Sequence, residues 1–286
     1  MENKSDPVLV QTIRRNAAKE NEKLIRGFTI LGKELFIASE MSSEIEVYES
    51  MKFSFSRRWN LKELIDPQDI ASCNRYKCLY INDSKVTGQS KEILKVDPDG
   101  KLIMKWLTGD DWGYSLSVTN ESNIILTVCN KSKLNEYTSD GQWIREIILP
   151  PETNICYPFH AIKLTNGHFV VSYCGYCDLN GVCIVDADGK IRKSFNSNRG
   201  TSVGQITRPV YMAIDRRGFV FVADQGNSRV LLLDSALKFK KEILSVEKHG
   251  LREPEIILLD EINGRLFVAD NWNEGDILIF ECKQFK

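Results

Sequence analysis

The stretch VADQGNSRVLLLD, residues 222–234, returns with changes as VADNWNEGDILIF at residues 268–280. Outward from this phrase, the short apolar segment at its head recurs along the whole chain. Its copies are Phe36-Ile37-Ala38-Ser39, Tyr80-Ile81-Asn82-Asp83, Leu126-Thr127-Val128-Cys129, Val171-Ser172-Tyr173-Cys174, Val222-Ala223-Asp224-Gln225 and Val268-Ala269-Asp270-Asn271. The spacings are 44, 46, 45, 51 and 46 residues. A unit recurring at such a period decides the architecture before any single residue is interpreted.

A second marker follows each segment: Val47-Tyr48-Glu49, Val96-Asp97-Pro98-Asp99-Gly100, Tyr137-Thr138-Ser139-Asp140-Gly141, Val185-Asp186-Ala187-Asp188-Gly189, Leu233-Asp234-Ser235 and Ile279-Phe280-Glu281. Asp-Gly tolerates the positive φ of a tight hairpin, so these are turns between adjacent strands. A third marker is a proline that opens the unit, at Pro67, Pro158, Pro209 and Pro254. Each unit reads as four short antiparallel strands, the size of one propeller blade, and there are six. The fold class is therefore all-β, a six-bladed β-propeller of four-stranded antiparallel blades. No long segment has a period of 3.6, which argues against a helical solenoid; the helix-like stretch at residues 13–24 is short and polar.

The last unit runs out early, with six residues left after Phe280. Residues 8–13, VLVQTI, correspond to FKKEIL at 239–244 and supply the missing fourth strand. Pairing chain start with chain end removes an open sheet edge. Residues 1–286 are expected to form one propeller, with 1–14 closing the last blade and blades at about 24–61, 62–108, 109–150, 151–206, 207–250 and 251–286.

The chain is 42% hydrophobic and 27% charged, enough to fill the interfaces between blades, and its net charge of −1 supplies no bulk attraction to nucleic acid or membrane. No run has the length of a membrane span, and MENKSDP at the start lacks the apolar core of a secretion signal. A cytoplasmic address and no membrane partner are the expectation. The eight cysteines then read as reduced core residues, with Cys73 and Cys78 the pair to watch in an oxidising setting. Cys174 and Cys177 form a Cys-x-x-Cys, with Cys183 nearby and Cys129 at the matching place one blade earlier. Zinc needs about four converging ligands, so without a second half this motif is a loop with partly buried thiols.

The VAD…NSRV phrase, with Arg208-Pro209-Val210-Tyr211-Met212-Ala213-Ile214-Asp215 before it, resembles the NHL repeat. The six units are similar to the NHL propeller at the C-terminus of tripartite-motif proteins. The match is clearest in units five and six and the first half of unit four, while units one and three follow by spacing alone. The resemblance implies a propeller that recognises proteins or structured RNA, in some members behind a RING ubiquitin-ligase module. Relatives of the fold also include the lyase that completes peptide amidation and several lactonases, whose metal ligands stand on strands opening into the top of the central channel.

Aligned on the proline and the Ala-Ile-Asp phrase, the matching positions are Asp69, His160, Tyr211 and Ile256, with blade three near Leu116. Only one is a histidine of the three in the chain, so a three-histidine zinc site is not supported. Asp69, Asp83 and Asp224 are candidates for a calcium site. Against this, the aspartate of Val-Ala-Asp closes a turn by bonding backbone amides, and that reading is preferred. His160 at a channel mouth would suit a general base, yet no nucleophile or carboxylate at a recognisable spacing completes a set; it reads instead as a satisfied histidine between strands or part of a binding surface, and no catalytic residue and no cofactor are assigned.

The inter-blade loops and the loops between second and third strands share one face, and on it acidic residues outnumber basic ones. RNA binding normally shows a basic footprint, so RNA ranks behind protein, with the cluster Arg57, Arg58 and Lys62 its best foothold. The same loops carry Trp112 and Tyr114 in blade three, Tyr157, Phe159 and Tyr176 in blade four, Tyr211 in blade five and Trp272 in blade six. Rigid rings with a few arginines are what protein-binding hot spots use, and about half of these rings are expected to plug gaps between blades. The expected partner is a protein or peptide, met by Trp112, Tyr114, Tyr157, Phe159, His160, Tyr176 and Tyr211 with Arg208 and Arg199 as polar rim. RNA is the alternative, and a metal-dependent lyase or lactonase the second.

Overall fold

The computed structural model describes residues 6–14, 24–83, 91–109, 111–149, 155–175, 179–198, 200–202, 204–273 and 275–282. The N-terminal strand is β1 (Val8–Ile13). The first sheet follows as β2 (Ile25–Leu31), β3 (Glu34–Ser39), β4 (Glu44–Glu49) and β5 (Phe55–Asn60), the second as β6 (Pro67–Cys73), β7 (Cys78–Asp83), β8 (Lys91–Val96) and β9 (Leu102–Gly109). The third holds β10 (Gly113–Val118), β11 (Ile124–Val128), β12 (Lys133–Tyr137) and β13 (Trp143–Ile148); the fourth β14 (Ile155–Lys163), β15 (Phe169–Gly175), β16 (Leu179–Val185) and β17 (Ile191–Asn198). The fifth is β18 (Pro209–Ile214), β19 (Val220–Asp224), β20 (Arg229–Leu233) and β21 (Phe239–Leu244), and the sixth β22 (Pro254–Asp260), β23 (Arg265–Asp270) and β24 (Asp276–Glu281).

Every sheet has four strands in meander order, and the sixth takes β1 as its fourth, in the order β1-β24-β23-β22. Thr12 pairs with Leu278 and Ile13 with Ile277. The chain is thus an all-β propeller of six four-stranded sheets, with the N-terminal strand completing the last. Among the described residues helix is confined to single turns, including α1 (Val246–His249), which ends at Gly250 with φ +69° and was not expected from the sequence. Most of the helix-like stretch 13–24 lies outside the described residues; Ile13 itself closes β1. The chain falls into two compact units, one of Lys23–Val171 with Ile184–Arg192, the other of Met1–Glu22, Ser172–Cys183 and Lys193–Lys286, and the fourth sheet contributes to both.

Strand position dictates composition. The second strands, such as β7, β11 and β19, are buried at every residue, while β9 and β13, fourth strands, alternate or lie largely open. A strand covered on both faces needs a continuous apolar run, and an outer strand needs only one apolar face. Neighbouring sheets of the first unit share cores: Phe36, Ile45, Val47 and Trp59 pack against Ile70, Leu79, Ile81 and Leu94, and Tyr80, Cys78 and Ile93 against Leu116, Leu126 and Val128. Each fully buried side chain of this size stabilises by about 1.5–3 kcal/mol. Their first strands are laced by hydroxyls: Thr29 Oγ1 donates to Ser72 Oγ (2.9 Å), Ser115 Oγ to the Phe159 carbonyl (2.7 Å) and Ser117 Oγ to the Ala161 carbonyl (2.6 Å).

The quoted phrase owes its recurrence to backbone anchoring. Asp224 Oδ1 accepts the Thr207 amide (2.6 Å), and its Oδ2 accepts Asn227 Nδ2 (2.8 Å) and Arg229 Nε (2.7 Å). Asp83 takes the amides of Ile65 and Asp66, and Asp270 those of Arg252 and Glu253. Each aspartate therefore ties the end of a second strand to the connection that enters its own sheet. This is backbone bonding by aspartate, as preferred above, although the amides come from 17 or 18 residues away rather than from a local turn.

A candidate aromatic rim on the third and fourth sheets

The first strands begin irregularly. Register slips between Ile25 and Gly27, Pro67 and Asp69, Gly113 and Ser115, Pro209 and Tyr211, and Pro254 and Ile256. Such a bulge leaves one extra residue on the strand and re-aims the side chains around it. In the third sheet the extra residue is Tyr114, half-buried, and its ring meets Phe159 edge-on with centroids 5.1 Å apart. That geometry matches the favourable aromatic pairing, worth about 0.5–1.5 kcal/mol beyond area burial.

Two residues before each of these rings in the chain are Trp112 and Tyr157, 51% and 49% exposed. Trp112 is presented by a pinned loop: its amide donates to Asn130 Oδ1 (3.1 Å), and its carbonyl accepts the Cys129 amide (3.2 Å). Beneath it, Asp111 binds Lys131 (2.8 Å), Lys133 (2.9 Å) and Asn135 Nδ2 (2.8 Å). Burial alone would raise the Asp111 carboxyl, but these donors together hold it below the ordinary value. Tyr157 precedes Pro158, and the carbonyl of Cys156 beside it accepts Ser132 Oγ (2.7 Å). Four aromatic residues of one unit are thus gathered on two adjacent sheets.

His160 is not on this surface. It is 3% exposed, and burial pushes its imidazole down to about 3 against a weaker upward pull from a hydrogen bond to the Leu116 backbone. The expectation that His160 meets a partner is corrected by this burial; in the proline register its counterparts Asp69 and Ser115 are also buried, at 1% each. The third-sheet member of this series is Ser115 rather than Leu116, one residue off the sequence alignment. Asp69 is occupied structurally, accepting the amides of Ile70 and Leu116 (both 2.8 Å).

In the other unit, Tyr211 is half-buried and Ile256 buried. Arg208 is exposed with φ +54°, its amide donating to Asn180 Oδ1 (3.2 Å). Trp272 is 57% exposed and carries the Arg252 guanidinium 5.5 Å over its ring. Tyr176, Cys177 and Arg199 lie outside the described residues. Cys174 Sγ donates to Asn180 Oδ1 (2.8 Å), burial pushes the Cys183 thiol up, and among the described residues no three His, Cys, Asp or Glu converge as metal ligands.

The basic cluster resolves into internal ion pairs. Arg57 and Arg58 lie on β5, not in a connection: Arg57 forks onto Glu34 and reaches the Pro98 carbonyl (2.9 Å), while Arg58 pairs with Glu46 (3.1 Å) and lies 5.5 Å over the Phe55 ring. Lys62 is exposed.

No protein-family model matches the chain, and no curated protein does. Solved structures do. Hydrazine synthase from Kuenenia stuttgartiensis is similar with a TM-score of 0.65 and 11% identity, covering 94% of this chain and 99% of that one. Virginiamycin B lyase from Staphylococcus aureus follows at 0.60 and 12%, over 88% and 83%, and a protein of unknown function from Bacteroides caccae at 0.59 and 14%, over 81% and 85%. At such identities the likeness is one of fold. It places the chain among the six-bladed β-propellers, an architecture that serves binding modules and enzymes alike. Among the described residues no helix is long and apolar enough to cross a membrane.

Proposed function

We propose that this propeller is a recognition module that binds a protein or peptide through the rim of Trp112, Tyr114, Tyr157 and Phe159. The observation that carries the reading is the edge-packed Tyr114–Phe159 pair with two half-exposed rings, Trp112 and Tyr157, each two residues before one of its members. The pinned backbone at Trp112 and the packed Tyr114–Phe159 pair limit the ordering cost of binding, which favours a hot spot. The NHL-like phrase supports placing the chain beside the propellers of tripartite-motif proteins, as the substrate-binding part of a ubiquitin-ligase-like, cytoplasmic protein. RNA ranks lower because Arg57 and Arg58 are spent on Glu34 and Glu46. Lyase or lactonase chemistry ranks lower still, since burial takes His160 away from any substrate.

The test is selection of peptides from a displayed random library on the immobilised protein, followed by affinity measurement on the enriched sequences. Trp112→Ala with Tyr157→Ala should weaken binding by at least about 2 kcal/mol with the fold intact, and affinity should fall only gently with salt. Peptides that bind the double variant as tightly as the parent would refute the rim. Tight, steeply salt-dependent RNA binding lost on replacing Arg57, Arg58 and Lys62 would install the alternative.

A further inference from the structure

A second surface lies away from the rim, on the edge where the first-to-second and third-to-fourth strand turns of the first and second sheets emerge. Four of these turns, β2 to β3, β4 to β5, β6 to β7 and β8 to β9, surround a groove of about 900 Å³. Leu31, Met51 and Pro98 supply its apolar lining, and Lys33, Lys52 and Lys77 its cations. Two carboxylates are present but already engaged: Glu34 with Arg57, and Glu49 with Lys52 (3.0 Å). Lys33 and Lys77 are exposed, and among the described residues neither has a carboxylate within ion-pair distance.

Both lysines are carried on short hairpin turns. Lys33 follows Gly32 (φ +64°) in a two-residue turn closed by Leu31 and Glu34. Lys77, with φ +48°, ends the four-residue turn that Cys73 and Cys78 close. The walls are locked to each other, since Arg57 bridges Glu34 on β3 to the Pro98 carbonyl in the β8–β9 turn. The two uncommitted charges are therefore held on a preorganised frame around an apolar floor, which reduces the ordering cost of binding.

We propose that this groove binds a short acidic peptide segment, its carboxylates on Lys33 and Lys77 and an apolar side chain over Leu31, Met51 and Pro98. A peptide fits better than a nucleic acid. Two free ammonium groups neutralise few phosphates, and the lining offers no ring for a base to stack on. The site is independent of the rim.

The experiment uses the full chain and a fluorescein-labelled peptide alternating aspartate with leucine, read by fluorescence anisotropy. Saturable binding is expected, weakened roughly tenfold or more by Lys33→Glu with Lys77→Glu, since reversal removes two attractions and replaces them with repulsion. The milder Lys33→Gln with Lys77→Gln should give a smaller loss at an unchanged melting temperature, which separates lost charge from lost fold. Lys193→Glu, exposed and elsewhere on the chain, should leave the affinity as it was. The proposal is overturned by absence of saturable binding, by equal affinity for a peptide alternating lysine with leucine, by charge-reversed protein that still binds, or by tighter binding of an oligouridylate of the same charge.

Discussion

Gly100 and Gly141 sit at the close of the third-to-fourth strand turns with φ +85° and +74°, and a tryptophan from the preceding sheet lies against each. The turn is built around Asp97, whose carboxylate accepts the amides of Asp99 (3.0 Å) and Lys101 (2.8 Å); Thr138 does the same for Asp140 and Gln142. A left-handed residue after a type I turn is the usual three-residue hairpin, so the position favours glycine for its backbone alone. A Cβ at Gly100 would stand 2.6 Å from Trp59 Cγ, and one at Gly141 2.5 Å from Trp106 Cδ2. Gly167 has the same backbone, φ +83°, with nothing within 4 Å. Urea unfolding should therefore show Gly167→Ala costing about 1 kcal/mol and Gly100→Ala or Gly141→Ala about 2–3 kcal/mol. Equal costs at the three positions would show that the tryptophans yield and that the turn alone requires glycine.

Among the elements, β1 behaves least like its neighbours. Val8, Leu9 and Val10 are 53%, 43% and 45% exposed, and only Ile13 is buried. Its hold on the sixth sheet is thus the ladder to β24 with Ile13 as anchor. Removing residues 1–14 should uncover the β24 edge, lower stability by several kcal/mol and bring concentration-dependent association visible in light scattering. Ile13→Ala should reproduce about 2–4 kcal/mol of that loss with little association, because the ladder stays. A truncated chain that melts and scatters like the parent would mean that β1 is dispensable for closure.

Across the whole molecule, buried ionisable groups set the response to acid. His160, buried and neutral, has its imidazole pushed down to about 3, whereas in the unfolded chain it titrates near about 6.5. The unfolded state thus takes up a proton that the folded state refuses. Stability is full above about 6.5 and falls as pH drops toward the folded value, at up to about 1.4 kcal/mol per pH unit. Asp111 and Glu136, held low by Lys131, Lys133 and Asn135 and by Lys163, Asn123 and Arg145 against the opposing effect of burial, extend the loss below about 4. Unfolding free energies of His160→Gln should be flatter than the parent's between about pH 6.5 and 4.5 and share its acid limb. A parent curve already flat in that window would contradict the buried neutral imidazole.

What the sequence by itself determined are the features written by local rules. The period near 45 residues, the Asp-Gly turns and the opening prolines defined six four-stranded sheets, and the shortfall after Phe280 pointed to Val8–Ile13 as the missing strand. Tertiary structure alone decided the side-chain directions. A single-residue bulge at the start of β10 turns Tyr114 toward Phe159 and its neighbour Ser115 inward, and no spacing reveals that rotation. Side-chain pairings between strands were equally hidden: Arg57 and Arg58 read as a free basic cluster, whereas Glu34 and Glu46, 23 and 12 residues away on the same sheet, hold them. The groove between Lys33 and Lys77 exists because turns far apart in the chain are brought edge to edge by packed cores, and burial of that kind acts through area and proximity in space rather than through order in sequence.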